Sequence, residues 1–382
     1  MRDIDPKVDE AIETLNMKNG PTRRRLLEGT GLVSASAAAA ALLAACSSSS
    51  TAAAANAAGN FPKTPKWQFW YVNHVTTNAF FVPTQYGFQD AAALLGLPTP
   101  KWGGSATSLA SEMVSYINTA IAAKAGGIAT TLIDATSFTS PVAKAMSAGI
   151  PVLSYNADGV VKKGVADIGT NRLAYVGQAL YISGQQMGTE IKKLIPGGGD
   201  VAIFIATPGS GNIQPRYDGA VSVLGSSYTV HEVATGASTG AELAAEKAFL
   251  TGHKTLKGAF AVDAGSTEFL GQALTETGLK IPNGGFDTTP TTLSNIQAGK
   301  TNFTIYQDPY LQGFLPTLYM YLYNLSGGTL SPSDTDTGLT FVTKSNAKPF
   351  TVSSRFQGST TAQKYIARPS GAITAPVATT ST

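Results

Sequence analysis

The stretch IATTLIDATSFTSPVAKAMSAGIPVLSYN, residues 128–156, shows how this chain folds. Its first part, residues 128–133, and its last part, residues 150–155, are apolar and rich in β-prone side chains, as buried strands are. Residues 140–148 between them have the apolar spacing of a helix, which Gly149 ends. Strands joined through a helix become parallel neighbours in a sheet, so the segment predicts a strand–helix–strand unit.

The same alternation of strands and helices continues along most of the chain. The patterns predict about ten such units, and the longest predicted helix covers residues 172–194. Strands that alternate with helices form parallel sheets that are covered on both faces. About ten such units are too many for one comfortable open sheet. We therefore expect an α/β fold with two doubly wound parallel-sheet, Rossmann-like domains.

The composition favours binding without catalysis. The 382 residues carry a net charge of only +3, which does not favour a nucleic acid partner. The three histidines and the single cysteine show no metal-ligand spacing, and no serine lies in a nucleophile-elbow context. The GSG at residues 209–211 is not a dinucleotide fingerprint, because Gln214 stands in place of the third glycine. We expect no enzyme activity, no metal and no cofactor.

The N-terminal region resembles an export and lipidation signal. TRRRLL at residues 22–27 resembles a twin-arginine motif, and LAAC at residues 43–46 resembles a lipobox. The apolar stretch between them is about 15 residues long, shorter than the ~20 that span a bilayer as a helix. We expect residues 1–45 to be a signal peptide, Cys46 to carry the lipid and residues 46–65 to be a flexible tether. The protein would then be extracytoplasmic, held at the cell membrane on its periplasmic side or at the cell surface.

Planar polar side chains follow several predicted strands and are interleaved with aromatic ones. They are Asn78, Asn156, Arg216, Asp263, Asp287 and Gln307, with Phe80 and Phe81 among the aromatic residues. In doubly wound sheets, ligands bind beyond the carboxyl ends of the strands. Amides, carboxylates and guanidinium groups pair well with hydroxyl groups, and sugar rings pack on aromatic faces. The pattern therefore indicates a polyhydroxylated ligand.

Some of these side chains also have purely structural interpretations. Asn156 and Asp158 could form an Asx turn after their strand. Asp263 and Asp287 could each cap the helix that follows. Arg216 could be a solvated residue at a helix start, although a cation is disfavoured there. The residues alone leave these alternatives open.

Six segments in order resemble the periplasmic sugar-binding proteins of the ribose/galactose type, which are solute receptors of ABC importers. They are NAFF (78–81), IPVLSYN (150–156), RYDG (216–219), FAVDAG (260–265), GGFDTTP (284–290) and TIYQDP (304–309). The resemblance covers about residues 66–346. It implies the type I periplasmic binding fold, with a ligand cleft between two lobes that close on a hinge.

The resemblance also implies which residues contact the ligand. They are Asn78, Phe80, Phe81, Asn156, Arg216, Asp263, Asp287 and Gln307, with the two phenylalanines as wall and stacking platform. This sequence departs from the family at Asn156 and Ala157, where ribose- and galactose-type members have Asp-Arg. We expect Asp158, one residue later, to make a compensating ligand contact.

The family hinge implies three crossings between the lobes, near Gly169, Gln307 and Gly327. The first lobe is then expected at residues 66–169 and 308–327, the second at 170–307 and 328–366, and a disordered tail at 367–382. The implied function is a monomeric receptor that binds a monosaccharide or polyol and delivers it to an ABC permease. Alternatives are a sensory receptor that signals to a membrane kinase or chemoreceptor, and a lipoprotein that binds a nucleoside or another signal molecule.

Overall fold

The computed structural model describes residues 63–162, 165–167 and 170–351. The expected signal peptide, the Cys46 lipid site and the tail at 367–382 lie outside these residues, as does most of the expected tether. No helix in the described ranges is long and apolar enough to cross a membrane.

Strands and helices alternate through the described chain. The strands are β1 (Phe69–Asn73), β2 (Lys101–Gly104), β3 (Gly127–Leu132), β4 (Val152–Asp158), β5 (Val160–Lys162), β6 (Val165–Asp167), β7 (Tyr175–Gly177), β8 (Gly199–Ile205), β9 (Tyr228–Ala234), β10 (Gly258–Ala261), β11 (Asn283–Phe286), β12 (Phe303–Tyr306), β13 (Thr335–Asp336) and β14 (Thr340–Val342). The helices are α1 (Val82–Leu94), α2 (Ala110–Ala122), α3 (Thr139–Ser147), α4 (Leu180–Leu194), α5 (Gln214–Leu224), α6 (Thr239–Gly252), α7 (Ala264–Thr277), α8 (Pro290–Gln297) and α9 (Leu311–Leu325). Short 3-10 turns lie at Ala79–Phe81 and Lys348–Thr351.

The strands form two large sheets, one in each lobe. The first has the order β13-β7-β4-β3-β1-β2, and all its pairings are parallel. The second has the order β14-β12-β11-β10-β8-β9, in which only β14 is antiparallel to its neighbour. Strands β5 and β6 form a separate hairpin. The expected fold class, two doubly wound parallel-sheet domains, is confirmed.

Each sheet is buried on both faces, which explains the continuous apolar runs in the sequence. Successive side chains of a strand point to opposite faces. In β1, Phe69 and Tyr71 therefore join one core cluster, while Trp70 and Val72 join the cluster on the other face. The side chains of strand β8 alternate in the same way between the two core clusters of the second lobe. Helices cover all four faces.

The strand–helix–strand unit of residues 128–156 forms as the sequence predicts. Ile128 pairs with Val152 and Ala129 with Leu153 in parallel register. The register then shifts between Thr130 and Leu132, where β4 bulges. In the bulged part of β4, Asn156 adopts a left-handed backbone conformation with φ of +62°. The strand therefore changes direction at the edge of the sheet where the ligand cleft lies.

The predicted helix at 172–194 is wrong in its first turns. Tyr175–Gly177 form β7, which pairs with β4 through Ser154 and Tyr175, and the helix begins only at Leu180. The β-prone Tyr175 and Val176 pair with the open edge of β4. This tertiary pairing overrides the helical pattern of the sequence.

The chain passes between the two lobes three times. It leaves the first sheet after β7, returns after β12 and leaves again between β13 and β14. The second crossing follows the end of β12, at Gln307. The other two lie beyond Gly169 and Gly327, because β7 and β13 still pair within the first sheet before the chain leaves it. The division into separately folding domains stays a prediction.

Candidate ligand-binding cleft

A cleft lies between the carboxyl ends of the two sheets. Eight of the nine predicted ligand contacts line it, although they come from segments far apart in the chain. They are Asn78, Phe80, Phe81, Asn156, Arg216, Asp263, Asp287 and Gln307.

Asp158 is the predicted contact that does not line the cleft. Its Oδ1 accepts hydrogen bonds from Ser154 Oγ at 2.5 Å and from Arg172 Nε at 2.6 Å. Arg172 also donates to Asp334 at 2.8 Å, so this ion-pair cluster joins β4 to the segments before β7 and β13. Asp158 therefore lies outside the lining of the cleft in this structure. The physical reason is that Ser154 and Arg172 hold its carboxyl group.

The two phenylalanines have different surroundings. Asn78 Oδ1 accepts a hydrogen bond from Phe80 N at 2.9 Å and caps the 3-10 turn that carries both rings. Phe81 is buried against His74 and Trp102, at ring-centroid distances of 5.4 and 6.1 Å. Phe80 is only partly buried and stands edge-to-face on Phe81. Phe80 is thus the ring more open to a ligand, and Phe81 supports it.

Arg216 lies buried in the first turn of α5, so the solvated interpretation does not hold. Its Nη1 donates to Val262 O and its Nη2 to Gln178 Oε1, both at 3.0 Å. The guanidinium carbon lies 4.2 Å from the centre of the Phe286 ring, a cation–π contact. These contacts hold the planar cation at the cleft wall.

The two aspartates of the second lobe differ in their structural roles. Asp263 is a helix cap, because its Oδ1 accepts from Ser266 N at 2.9 Å and its Oδ2 from Ala206 N at 2.8 Å. Asp287 is not a cap, since Thr289 caps the helix that follows. Burial raises the pKa of Asp287 to about 6, although nearby Arg216 and a hydrogen bond from Gln307 oppose the shift. Both carboxyl groups nevertheless line the cleft.

A chain of hydrogen bonds connects the two lobes through the hinge. Asn156 Nδ2 donates to Gln312 Oε1 at 3.2 Å, and Gln312 Nε2 donates to Gln307 Oε1 at 3.1 Å. Gln307 Nε2 in turn donates to Asp287 Oδ1 at 2.7 Å. No sequence pattern pointed to Gln312, whose role depends on the packing of helix α9 beside the second crossing.

The lobes also touch directly beside the cleft. Gly211 N donates to Ile133 O at 2.9 Å, and Asn212 Nδ2 lies 3.2 Å from His74 Nε2. Burial lowers the pKa of His74 to about 4, so its ring is neutral at pH 7 and Nε2 can accept this hydrogen bond. These contacts identify a closed arrangement of the lobes. His74, Asn212 and Glu242 also line the cleft and were not among the predicted ligand contacts.

No cluster of side chains suited to a metal ion is found among the described residues. Two parallel-sheet lobes, three crossings and a polar cleft with aromatic walls define a two-lobed solute-binding protein.

The comparisons with known proteins agree with this class. Residues 69–328 match the family model described as a periplasmic binding protein domain, and the chain belongs to that family. The family and its relatives are binding proteins and not enzymes, and their setting is extracytoplasmic. The chain is similar to the xylose/arabinose-binding protein XylF of Sulfolobus acidocaldarius, with 47% identity over 315 residues, 80% of this chain and 78% of the relative.

Two solved structures share the fold at 25% identity. One is an ABC transporter solute-binding protein of Burkholderia graminis in complex with D-arabinose, with a TM-score of 0.67 over 75% of this chain and 98% of that one. The other is AraP, an arabinose-binding protein of Geobacillus stearothermophilus, with a TM-score of 0.60 over 75% of this chain and 100% of that one.

Proposed function

We propose that this protein is an extracytoplasmic receptor for a pentose, held at the membrane by a lipid on Cys46, which delivers its ligand to an ABC importer. The observation that carries the proposal is the cleft itself. Its walls combine carboxylates, amides, a guanidinium group and the Phe80 ring, which is the mixture that a monosaccharide requires. The pentose class follows from the 47% identical relative, which is a xylose/arabinose-binding protein.

The geometry supports ligand contacts from both lobes. Gln307 uses Oδ1 of Asp287, which leaves Oδ2 to accept a hydrogen bond from a ligand hydroxyl group. Asn156 donates to Gln312 and keeps its own Oδ1 for the ligand. A hydroxyl group that pairs with these atoms bridges the lobes, and it stabilises the closed arrangement that the His74–Asn212 contact shows.

Residue 157 is an alanine that lies in the core of the first lobe and supplies no ligand contact to the cleft. Ala157 is buried and carries no group that could clamp a second ring hydroxyl, as the Asp-Arg pair of ribose- and galactose-type members would. Asn156 beside it both donates and accepts hydrogen bonds. We infer that this wall selects a sugar with a different hydroxyl pattern from ribose.

Isothermal titration calorimetry with the purified full-length chain tests the proposal. We expect D-xylose or L-arabinose to bind and to raise the melting temperature, whereas ribose, glucose, myo-inositol and nucleosides bind more weakly. Asp287→Ala should lower the affinity at least tenfold, since it removes a charged acceptor and strands Gln307 and Arg216. Stabilisation by nucleosides alone, or unchanged affinity of Asp287→Ala, would refute the proposed site.

The lipid anchor is tested separately from ligand binding. With Cys46→Ala, we expect the protein to leave the membrane fraction while its sugar affinity stays unchanged, because Cys46 lies far outside the binding segments in sequence. Mass spectrometry of the wild-type protein should find a diacylglycerol on the cysteine. An unmodified cysteine would refute the anchor and leave the receptor function in place.

A further inference from the structure

The wall of the cleft contains a carboxyl group that has no hydrogen-bond partner among the described residues. Glu242, in the first turns of α6, lines the cleft, and only 6% of its surface is exposed. Its carboxyl group forms no ion pair or hydrogen bond with the described residues. Nearly all buried polar groups in proteins have a hydrogen-bond partner. A carboxyl group that faces a ligand cleft without such a partner therefore points to a partner in the ligand.

The local packing holds this carboxyl group in place. A Cβ atom at residue 265 would lie 2.1 Å from Glu242 Oε1, so the carboxyl group rests where only a glycine leaves room. Gly265 itself lies in the first turn of α7, two residues after Asp263, and both residues line the same cleft. Glu242 and Asp263 therefore form one acidic wall of the second lobe.

The surroundings of Glu242 disfavour a negative charge. Asp263 and Glu268 belong to α7, and Glu246 lies one turn further along α6, fully buried and with neither carboxyl oxygen hydrogen-bonded. Strand β9, which also packs against α6, carries His231 and Glu232. Burial, together with repulsion from Asp263 and Glu268, raises the pKa of Glu242 to about 8.

Arg216 is the only lysine or arginine among the described residues that line the cleft, and Asp263 and Asp287 already face it. Two carboxylates thus share one cation before Glu242 is counted. A third ionised carboxylate in the same cleft would be uncompensated, which is costly in a buried site. The neutral acid is the form that this wall accommodates.

We propose that Glu242 is a further ligand-contacting residue that binds, as a neutral carboxylic acid, a hydroxyl group of the sugar. A protonated carboxyl group can donate one hydrogen bond and accept another, which matches a hydroxyl group. The inference rests on the proposed function, and it defines the ligand class as a neutral polyhydroxylated molecule without a cationic amino group. Glu242 thereby favours the binding of a neutral sugar over that of a cationic amino sugar.

The test measures the affinity of the full-length chain for D-xylose and L-arabinose at pH 7 and pH 9, because Asp287, with a pKa of about 6, is mostly ionised at both values. For the wild type we expect affinity to fall as the pH rises past the pKa of Glu242, because ionisation removes the donor and adds repulsion. Glu242→Gln, which keeps a donor and an acceptor, should bind within about threefold of wild type at pH 7 and lose the pH dependence over this range. Glu242→Leu should bind at least tenfold more weakly at both values, since a sugar hydroxyl is left unpaired.

Glu190→Gln is the matched control, because Glu190 pairs with Lys193 on the outer part of α4. It should leave affinity and pH dependence unchanged. Unchanged affinity of Glu242→Leu for a sugar that the wild type binds would overturn the role of Glu242 and leave the receptor function standing. Preference of the wild type for an aminodeoxy pentose, lost in Glu242→Gln, would overturn the neutral form. If no sugar binds the wild type at either pH, the proposed function itself fails.

Discussion

Gly211 sets how closely the two lobes can approach, so its replacement by alanine should impair closure and spare the fold. A Cβ atom at this position would lie 2.6 Å from Gly159 O and 3.0 Å from Ile133 O. Both are backbone atoms of the first lobe and cannot rotate away. The φ angle of Gly211 is not in the left-handed region, so alanine fits the second lobe without backbone strain.

The expected loss of affinity follows from the contacts that closure forms. If the lobes stay apart, the Gly211 N–Ile133 O hydrogen bond and the Asn212–His74 hydrogen bond are both missing. Each hydrogen bond stabilises by about 1 kcal/mol, so the closed state loses about 2 kcal/mol. This corresponds to an affinity about 30-fold weaker. Only the closed state is affected, so the melting temperature of the ligand-free protein should change little.

Calorimetry with the best pentose, combined with small-angle X-ray scattering with and without ligand, measures both effects. Gly211→Ala should bind more weakly and show a smaller ligand-induced decrease in radius of gyration. Gly197→Ala is the control, because a Cβ atom there meets nothing within 4 Å. Wild-type affinity for Gly211→Ala would show that ligand binding does not need this approach of the lobes.

Two further predictions concern buried ionisable groups outside the ligand contacts. Glu246→Leu should raise the free energy of unfolding at pH 8 by about 1–3 kcal/mol in urea titrations, because it removes a buried carboxyl group without a hydrogen-bond partner. Burial raises the pKa of Glu246 from 4.5 to about 10, so the folded state binds the proton more tightly and wild-type stability should fall as the pH rises through this window. A Leu variant with the same pH slope as wild type would contradict this assignment. Arg172→Met should cost about 3 kcal/mol of stability by stranding Asp158, yet change pentose affinity less than about twofold, since the pair lies outside the cleft. Lys193→Met, which breaks an exposed pair, is its control, and equal losses in the two variants would argue against a structural role for Arg172.

Much of the fold was readable in the sequence because both faces of each sheet are buried. A strand such as β8 then becomes a continuous apolar run, and the helices between the strands keep their own spacing. Short strands were harder to recognise. The segment of β7 has a helical pattern, and it is a strand only because the edge of β4 accepts it.

The sequence by itself determined the α/β class, the order of strands and helices, and eight side chains that line the cleft. These follow from local patterns and from the rule that ligands bind at the carboxyl ends of parallel strands. The tertiary structure alone decided where Asp158 points, because the bulge at Asn156 and the distant Arg172 draw it into an ion pair. It also decided that Glu242 and His74 line the cleft, since closure and the packing of α6 on α7 bring together residues that no sequence spacing relates.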